Sequence, residues 1–217
     1  LSVLRDRGFV AREVPMSLRD RDDSRSGRYV VTDPYLRFFY RFISANQSKL
    51  ALGQLRPLLE QIEAGLPAFI AINTWQELAR DWLLLAAANG AIPVPVDEVG
   101  SEWGSGQALD VVGFSAANDA LVMGDCFWDE TPPGPEALEG MLRRAAHARP
   151  KKDEADDEAP PPVYFVAFSK TPWSDEARDK ADGLAEAASK GKKRRQPLGI
   201  RLLDLEMVDR DLAEWSV

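Results

Sequence analysis

The sequence predicts an α/β protein of the α+β kind: a mixed sheet flanked by helices, approached through a smaller helix-and-hairpin unit. Three observations carry this. After residue 74 the pattern reads helix, three strands, helix, strand, helix, strand. One of those strands, Val163-Tyr164-Phe165-Val166-Ala167-Phe168, is apolar throughout, as a strand covered on both faces must be. The first 43 residues carry nine Arg against six acidic residues, although the whole chain of 217 residues has a net charge of −8. The basic start and the acidic remainder are separate units.

Composition narrows the chemistry. A single Cys (Cys126) rules out an internal disulfide, so the fold does not depend on an oxidising compartment, and a cytoplasmic setting is expected. One Cys and one His (His147) cannot build the usual structural zinc site. A Ser-His-Asp triad would need His147, which lies in an Arg- and Ala-rich helical stretch with no Gly-x-Ser-x-Gly turn. No apolar run reaches the roughly 18 residues of a membrane span. Any catalysis must rest on carboxylates, Lys or Arg, with a hard metal ion. The opening Leu1-Ser2-Val3-Leu4-Arg5 reads as helix interior, which leads us to expect a fragment of a longer polypeptide.

Residues 1–43 predict the back half of a winged helix: a helix end closed at Gly8, a strand from Phe9 to Pro15, a charged loop, and a second strand Arg28-Tyr29-Val30-Val31. Asp33-Pro34 then opens a helix rich in aromatics, with Asp33 as N-cap. Residues 44–73 read as a helical linker ended by Gly65 and Pro67. Thr74-Trp75-Gln76-Glu77 has the form of a capping box opening the next helix, which runs to about Ala88. Residues 74–217 form the main domain. Its strands are expected near 98–103, 108–114 and 120–127, the last two joined at Asn118-Asp119. A helix over 136–148 follows, then an acidic, Pro-rich stretch with five acids between 153 and 158, read as disordered. After the apolar strand come a helix N-capped by Ser174, a loop carrying five cations over 190–195, and a last strand from Ile200 to Val208.

Three carboxylates stand at informative places. Glu77 lies in the first turn of the main domain's first helix, Asp110 begins one strand of the hairpin, and Asp125 lies near the end of the next. In an antiparallel hairpin those two aspartates fall side by side. Paired carboxylates in an apolar sheet repel and are costly to bury unless neutralised. A divalent cation with oxygen ligands, Mg²⁺ above all, is the natural neutraliser, with Asp110 and Asp125 as its ligands.

Leu109-Asp110-Val111-Val112-Gly113 followed by Gly124-Asp125-Cys126-Phe127-Trp128 resembles the C-terminal region of the archaeal-type AAA/STAND-like ATPases, where the second segment commonly reads Gly-Glu-Cys-Lys-Trp. Arg28-Tyr29-Val30-Val31-Thr32-Asp33-Pro34-Tyr35-Leu36-Arg37-Phe38-Phe39-Tyr40-Arg41-Phe42 resembles that family's join between winged helix and nuclease-like domain. The resemblance implies a PD-(D/E)XK restriction-endonuclease-like fold for residues 74–217. It also implies Mg²⁺ on Asp110 and Asp125, an outer contact from Glu77, and ATP bound only in an upstream domain outside this sequence. The implied catalytic Lys is replaced here by Phe127, which neither donates a hydrogen bond nor carries charge. Losing such an electrostatic group commonly slows catalysis by about 100- to 1000-fold.

These residues predict a degenerate nuclease-like module that binds DNA, a protein partner or the upstream ATPase domain. The alternatives are an active Mg²⁺-dependent endonuclease with a relocated cation, for which Lys170, Arg143 and Arg144 are the candidates, and a regulatory protein-binding domain with no nucleic-acid role. Cys126 and the tryptophans Trp75, Trp82, Trp103 and Trp128 read as packing residues, and His147 as a solvated helix residue.

Overall fold

The computed structural model describes residues 1–20, 25–104, 108–148, 161–190 and 197–216. The acidic run 153–158 and residues 191–195 of the basic run lie outside the described residues.

A short helix α1 (Ser2–Asp6) leads into β1 (Val10–Glu13) and β2 (Arg28–Val31), which pair antiparallel with Val10 opposite Val31. The Thr32 hydroxyl donates to the Gly8 carbonyl at 2.6 Å and ties the hairpin back to the end of α1. Helix α2 (Pro34–Phe38) starts as its residues dictate: the Asp33 carboxylate accepts the Leu36 N–H at 3.0 Å, and Pro34 takes the first position, where no N–H is needed. The chain continues as a π-helical turn over Phe39–Ile43, then α3 (Gln47–Ala51) and α4 (Leu55–Phe69). The rings of Phe38, Phe42 and Phe69 pack at 5.1–6.1 Å between centroids, clamping the aromatic segment onto α4.

The capping box expected at Thr74 does not form. Helix α4 passes through a π-helical turn over Ile70–Trp75 directly into α5 (Gln76–Ala88), without a break. Pro67 lies inside α4 rather than ending it. It has no N–H to give to the preceding turn, and the widened turn beyond it re-phases the helix. The apolar row Trp75, Ala79, Trp82, Leu83 and Ala86 then faces the sheet. The boundary expected between residues 73 and 74 thus falls within a continuous helical rod. Gly65 fits that rod because the Phe42 ring lies where a Cβ would go.

The main sheet has five strands in the order β3-β4-β5-β6-β7: β3 (Glu98–Glu102), β4 (Leu109–Ser115), β5 (Ala120–Phe127), β6 (Val163–Ser169) and β7 (Gly199–Asp204). The first three form an antiparallel meander; β6 and β7 add in parallel through α6 (Pro135–Ala148) and α7 (Asp175–Lys190). This is the mixed, helix-flanked sheet the sequence predicts. Parallel strands need such crossovers, and β6 is buried along its whole length, as its apolar run requires. The β4–β5 turn sits at Asn118-Asp119, with Asp119 at φ 43°, a left-handed conformation that Asp tolerates.

The sheet separates two cores. On one face α5 and α8 (Leu205–Trp215) cover Val111, Val122, Val166, Phe168 and Leu203. On the other α6 and α7 cover Leu109, Val112, Met123, Phe165 and Ala167. Ser174 caps α7, its hydroxyl accepting the Ala177 N–H at 3.2 Å. The last strand ends earlier than the sequence pattern indicates. Asp204 accepts the Met207 N–H at 2.9 Å and opens α8 in place of further strand. Its buried Asp211 accepts from the Trp82 indole at 3.0 Å and so pins α8 to α5. Among the described residues no helix is long and apolar enough to cross a membrane.

Candidate functional site

Asp110 owes its position to an irregularity in β4. Gly100 pairs with Val112 but Glu102 with Leu109, so Asp110 and Val111 together face Ser101. Such a bulge adds one residue to a strand and re-aims its side chains. Ser101 secures it by donating its hydroxyl to the Asp110 carbonyl at 2.9 Å, and Arg80 of α5 donates to the Ser101 hydroxyl at 2.7 Å. Beyond the bulge, Val111 pairs with Gly124, which brings Asp110 beside Asp125.

The expected juxtaposition of Asp110 and Asp125 is present. The Asp110 N–H donates to Asp125 Oδ1 at 3.2 Å, and the Cys126 N–H donates to Asp110 Oδ2 at 3.1 Å. Each carboxylate thus takes an amide from the opposite strand. Their remaining partners come from different layers. Gln76 of α5 donates to Asp110 Oδ1 at 2.7 Å. Arg144 of α6 grips Asp125 through its Nε, at 3.1 Å from Oδ2, and through a terminal nitrogen on the same oxygen. Asp125 is 4% exposed.

The electrostatics follow from this enclosure. Burial pushes the Asp110 carboxyl up from its ordinary value of 3.8 to about 6, helped by the charge of Asp125 and opposed by the Cys126 amide. Burial also raises Asp125, against the pull of the Arg144 guanidinium. The Cys126 thiol is raised well above its ordinary value by burial and by the two aspartates, so it stays protonated and serves as packing.

The other two candidates lie elsewhere. Glu77 is turned to Arg37 of α2, whose guanidinium nitrogen reaches its two oxygens at 2.9 and 2.6 Å. Arg37 also donates to the Asn73 carbonyl at 3.1 Å, stitching the aromatic segment to the rod. Lys170 pairs with Glu130 and lies 5.4 Å from the Trp128 ring centroid, so its ammonium is committed there. Phe127 packs edge-on against Trp173 at 5.5 Å between centroids, on the α7 side. Of the three cations considered for relocation, Arg144 is the one that reaches the acid pair. Gln76 and Arg80 were not among the sequence candidates. Their signal was helical phase: they follow Trp75 and Ala79 by one position each, at the edge of the buried row.

A divalent cation does not fit this donor set as arranged. Arg144 already neutralises Asp125, Gln76 already satisfies Asp110, and Glu77 faces away to Arg37. Among the described residues no group of three or more His, Cys, Asp or Glu side chains is gathered as metal ligands.

Fold and site define a mixed α/β protein with a carboxylate pair at the rim of an antiparallel hairpin, one acid held by a side-chain cation and the other by a side-chain amide. Comparison with known proteins places relatives beside it. Residues 39–141 match the family DUF234, described as archaeal and bacterial proteins of unknown function. That stretch includes Gln76, Glu77, Asp110 and Asp125 and stops short of Arg144. An uncharacterized protein of Methanocaldococcus jannaschii, MJECL04, is 20% identical over 122 residues, covering 56% of this chain and 27% of the relative. The chain therefore corresponds to about a quarter of that relative's length, at 27%. No solved structure matches the chain.

Proposed function

We propose that the chain is a catalytically silent, nuclease-like module of a larger ATPase that binds DNA or a protein partner. The observation that carries this reading is the Arg144 guanidinium on Asp125, with Gln76 on Asp110. In a phosphodiesterase two such carboxylates would hold a metal ion that activates water and steadies charge on the phosphate. Here a fixed side-chain cation satisfies the same negative charge, and Phe127 stands where the catalytic lysine belongs. Loss of that lysine takes away a group that would steady charge on the phosphate, and pairing Asp125 with Arg144 reduces the pull on a metal, while the scaffold stays intact. The partial length of the match to MJECL04, 27% of that protein, supports the reading as one module of a longer polypeptide. The α1–β1–β2 unit, in this reading, is the end of a winged helix, and the upstream ATPase domain is the source of nucleotide binding.

Incubation of supercoiled plasmid with Mg²⁺ or Mn²⁺ tests the proposal, alongside calorimetric titration of Mn²⁺. Intact plasmid and no saturable Mn²⁺ binding in the millimolar range are expected. Cleavage that disappears in Asp110→Ala would overturn it and make the protein an endonuclease with Arg144 as its relocated cation.

A further inference from the structure

Two open cavities flank the α4–α5 rod and merge. One, of about 470 Å³, lies between the β1–β2 hairpin and the start of α5; the other, of about 350 Å³, lies beside the aromatic segment. Both are lined by Val31, Arg37, Ile72 and Asn73, so they form one groove. Two π-helical turns, Phe39–Ile43 and Ile70–Trp75, border it, and such turns often mark functional sites.

The groove's charged lining is one-sided in type. Its cations are all arginines: Arg28, Arg37, Arg41 and Arg80. Its two carboxylates, Glu13 and Glu77, are already covered by Arg28 and Arg37. Arg41 is exposed and makes no hydrogen bond or ion pair among the described residues, and the buried Nε of Arg37 has no partner. Two rings stand open on the same walls, Tyr29 at 48% exposed and Tyr40 at 60%. Planar guanidinium forks suit phosphate oxygens, and exposed aromatic faces suit unpaired bases. An acidic peptide would use the cations but not the rings.

We infer that this groove binds a single-stranded nucleic acid, with Arg41 on its phosphates and Tyr40 against a base. The inference rests on the binding role proposed above and moves the contact from the acid pair to the groove. The local basicity is consistent with a chain of net charge −8, because three of the four groove arginines, Arg28, Arg37 and Arg41, come from the basic first 43 residues.

The test is fluorescence anisotropy of labelled oligothymidylate of about 15 nucleotides, near the upper site size of comparable single-strand binders. Arg41→Glu and Tyr40→Ala are compared with Arg56→Glu, an equal charge change on α4 outside the groove, with circular dichroism confirming each fold. Expected are saturable binding that weakens with salt, by a slope of about −0.7 per neutralised phosphate, and at least tenfold loss in Arg41→Glu and Tyr40→Ala. Arg56→Glu should change affinity less than about twofold, as befits an exposed residue paired only within its helix. Absence of binding, equal losses in Arg41→Glu and Arg56→Glu, or equally tight binding of polyglutamate would overturn the groove assignment. Cleavage of the same oligonucleotide with Mn²⁺, read on a gel, would instead overturn the catalytic silence and leave the groove standing.

Discussion

Asp110→Asn isolates the cost of keeping the acid pair charged. In the wild-type protein the Asp110 carboxyl is raised from 3.8 to about 6. Its native form therefore binds protons more tightly than the unfolded chain, and stability falls as pH rises across that window. Above pH 6 the whole penalty is present; below about 4 it is gone. The shift from 3.8 to about 6 corresponds to about 3 kcal/mol at about 1.4 kcal/mol per tenfold. Asn removes the charge and keeps most hydrogen bonds. Its carbonyl can accept the Cys126 amide, and its NH₂ can donate to Gln76 once that side chain's amide turns over. Residual solvent contact and imperfect geometry reduce the gain, leaving about 2 kcal/mol at pH 7.5. Urea denaturation of both proteins at pH 7.5 and pH 4 reads this directly. The variant should be the more stable at pH 7.5 and equal to or weaker than wild type at pH 4. A variant no more stable at pH 7.5, or a gain of the same size at both pH values, would refute the account of a pair held at electrostatic cost.

Arg144→Met strands Asp125 as an uncompensated buried carboxylate. Breaking such a pair costs about 3–5 kcal/mol when fully buried. With the Arg144 side chain 37% exposed, about 2 kcal/mol is expected at pH 8, shrinking as the pH falls and Asp125 takes a proton; thermal melts across a falling pH series measure it. Gly124→Ala should fail to fold or lose about 3 kcal/mol or more. A Cβ there runs into the Val166 carbonyl oxygen and lies 2.7 Å from its Cγ2, and soluble yield with a melting curve reports the loss.

Much of the fold was legible because it follows from one-dimensional signals. The turn residues Asn118-Asp119, the unbroken apolar run of β6, and the caps at Asp33 and Ser174 each act locally, and the structure uses them as written. The site was legible in part. Hairpin geometry puts Asp110 beside Asp125, but it does not disclose the bulge at Asp110-Val111, which depends on how β3 aligns with β4. Glu77 matched a capping box by spacing, whereas tertiary packing carried the helix straight through Thr74 and handed Glu77 to Arg37, 40 residues earlier in the chain. Helix α8 was hidden because Leu205, Met207 and Val208 follow so closely on β7 that they read as its continuation. The role of Arg144 was one of several possibilities in the sequence, and only the α6 crossover selects it.

The unbroken rod from Leu55 to Ala88 has a mechanical consequence. At 1.5 Å per residue it is about 50 Å long, and it touches the groove along its middle and the acid pair through Gln76. Ile72 of the groove wall and Gln76 on Asp110 lie four residues apart on that rod, so no loop separates the groove from the acid pair.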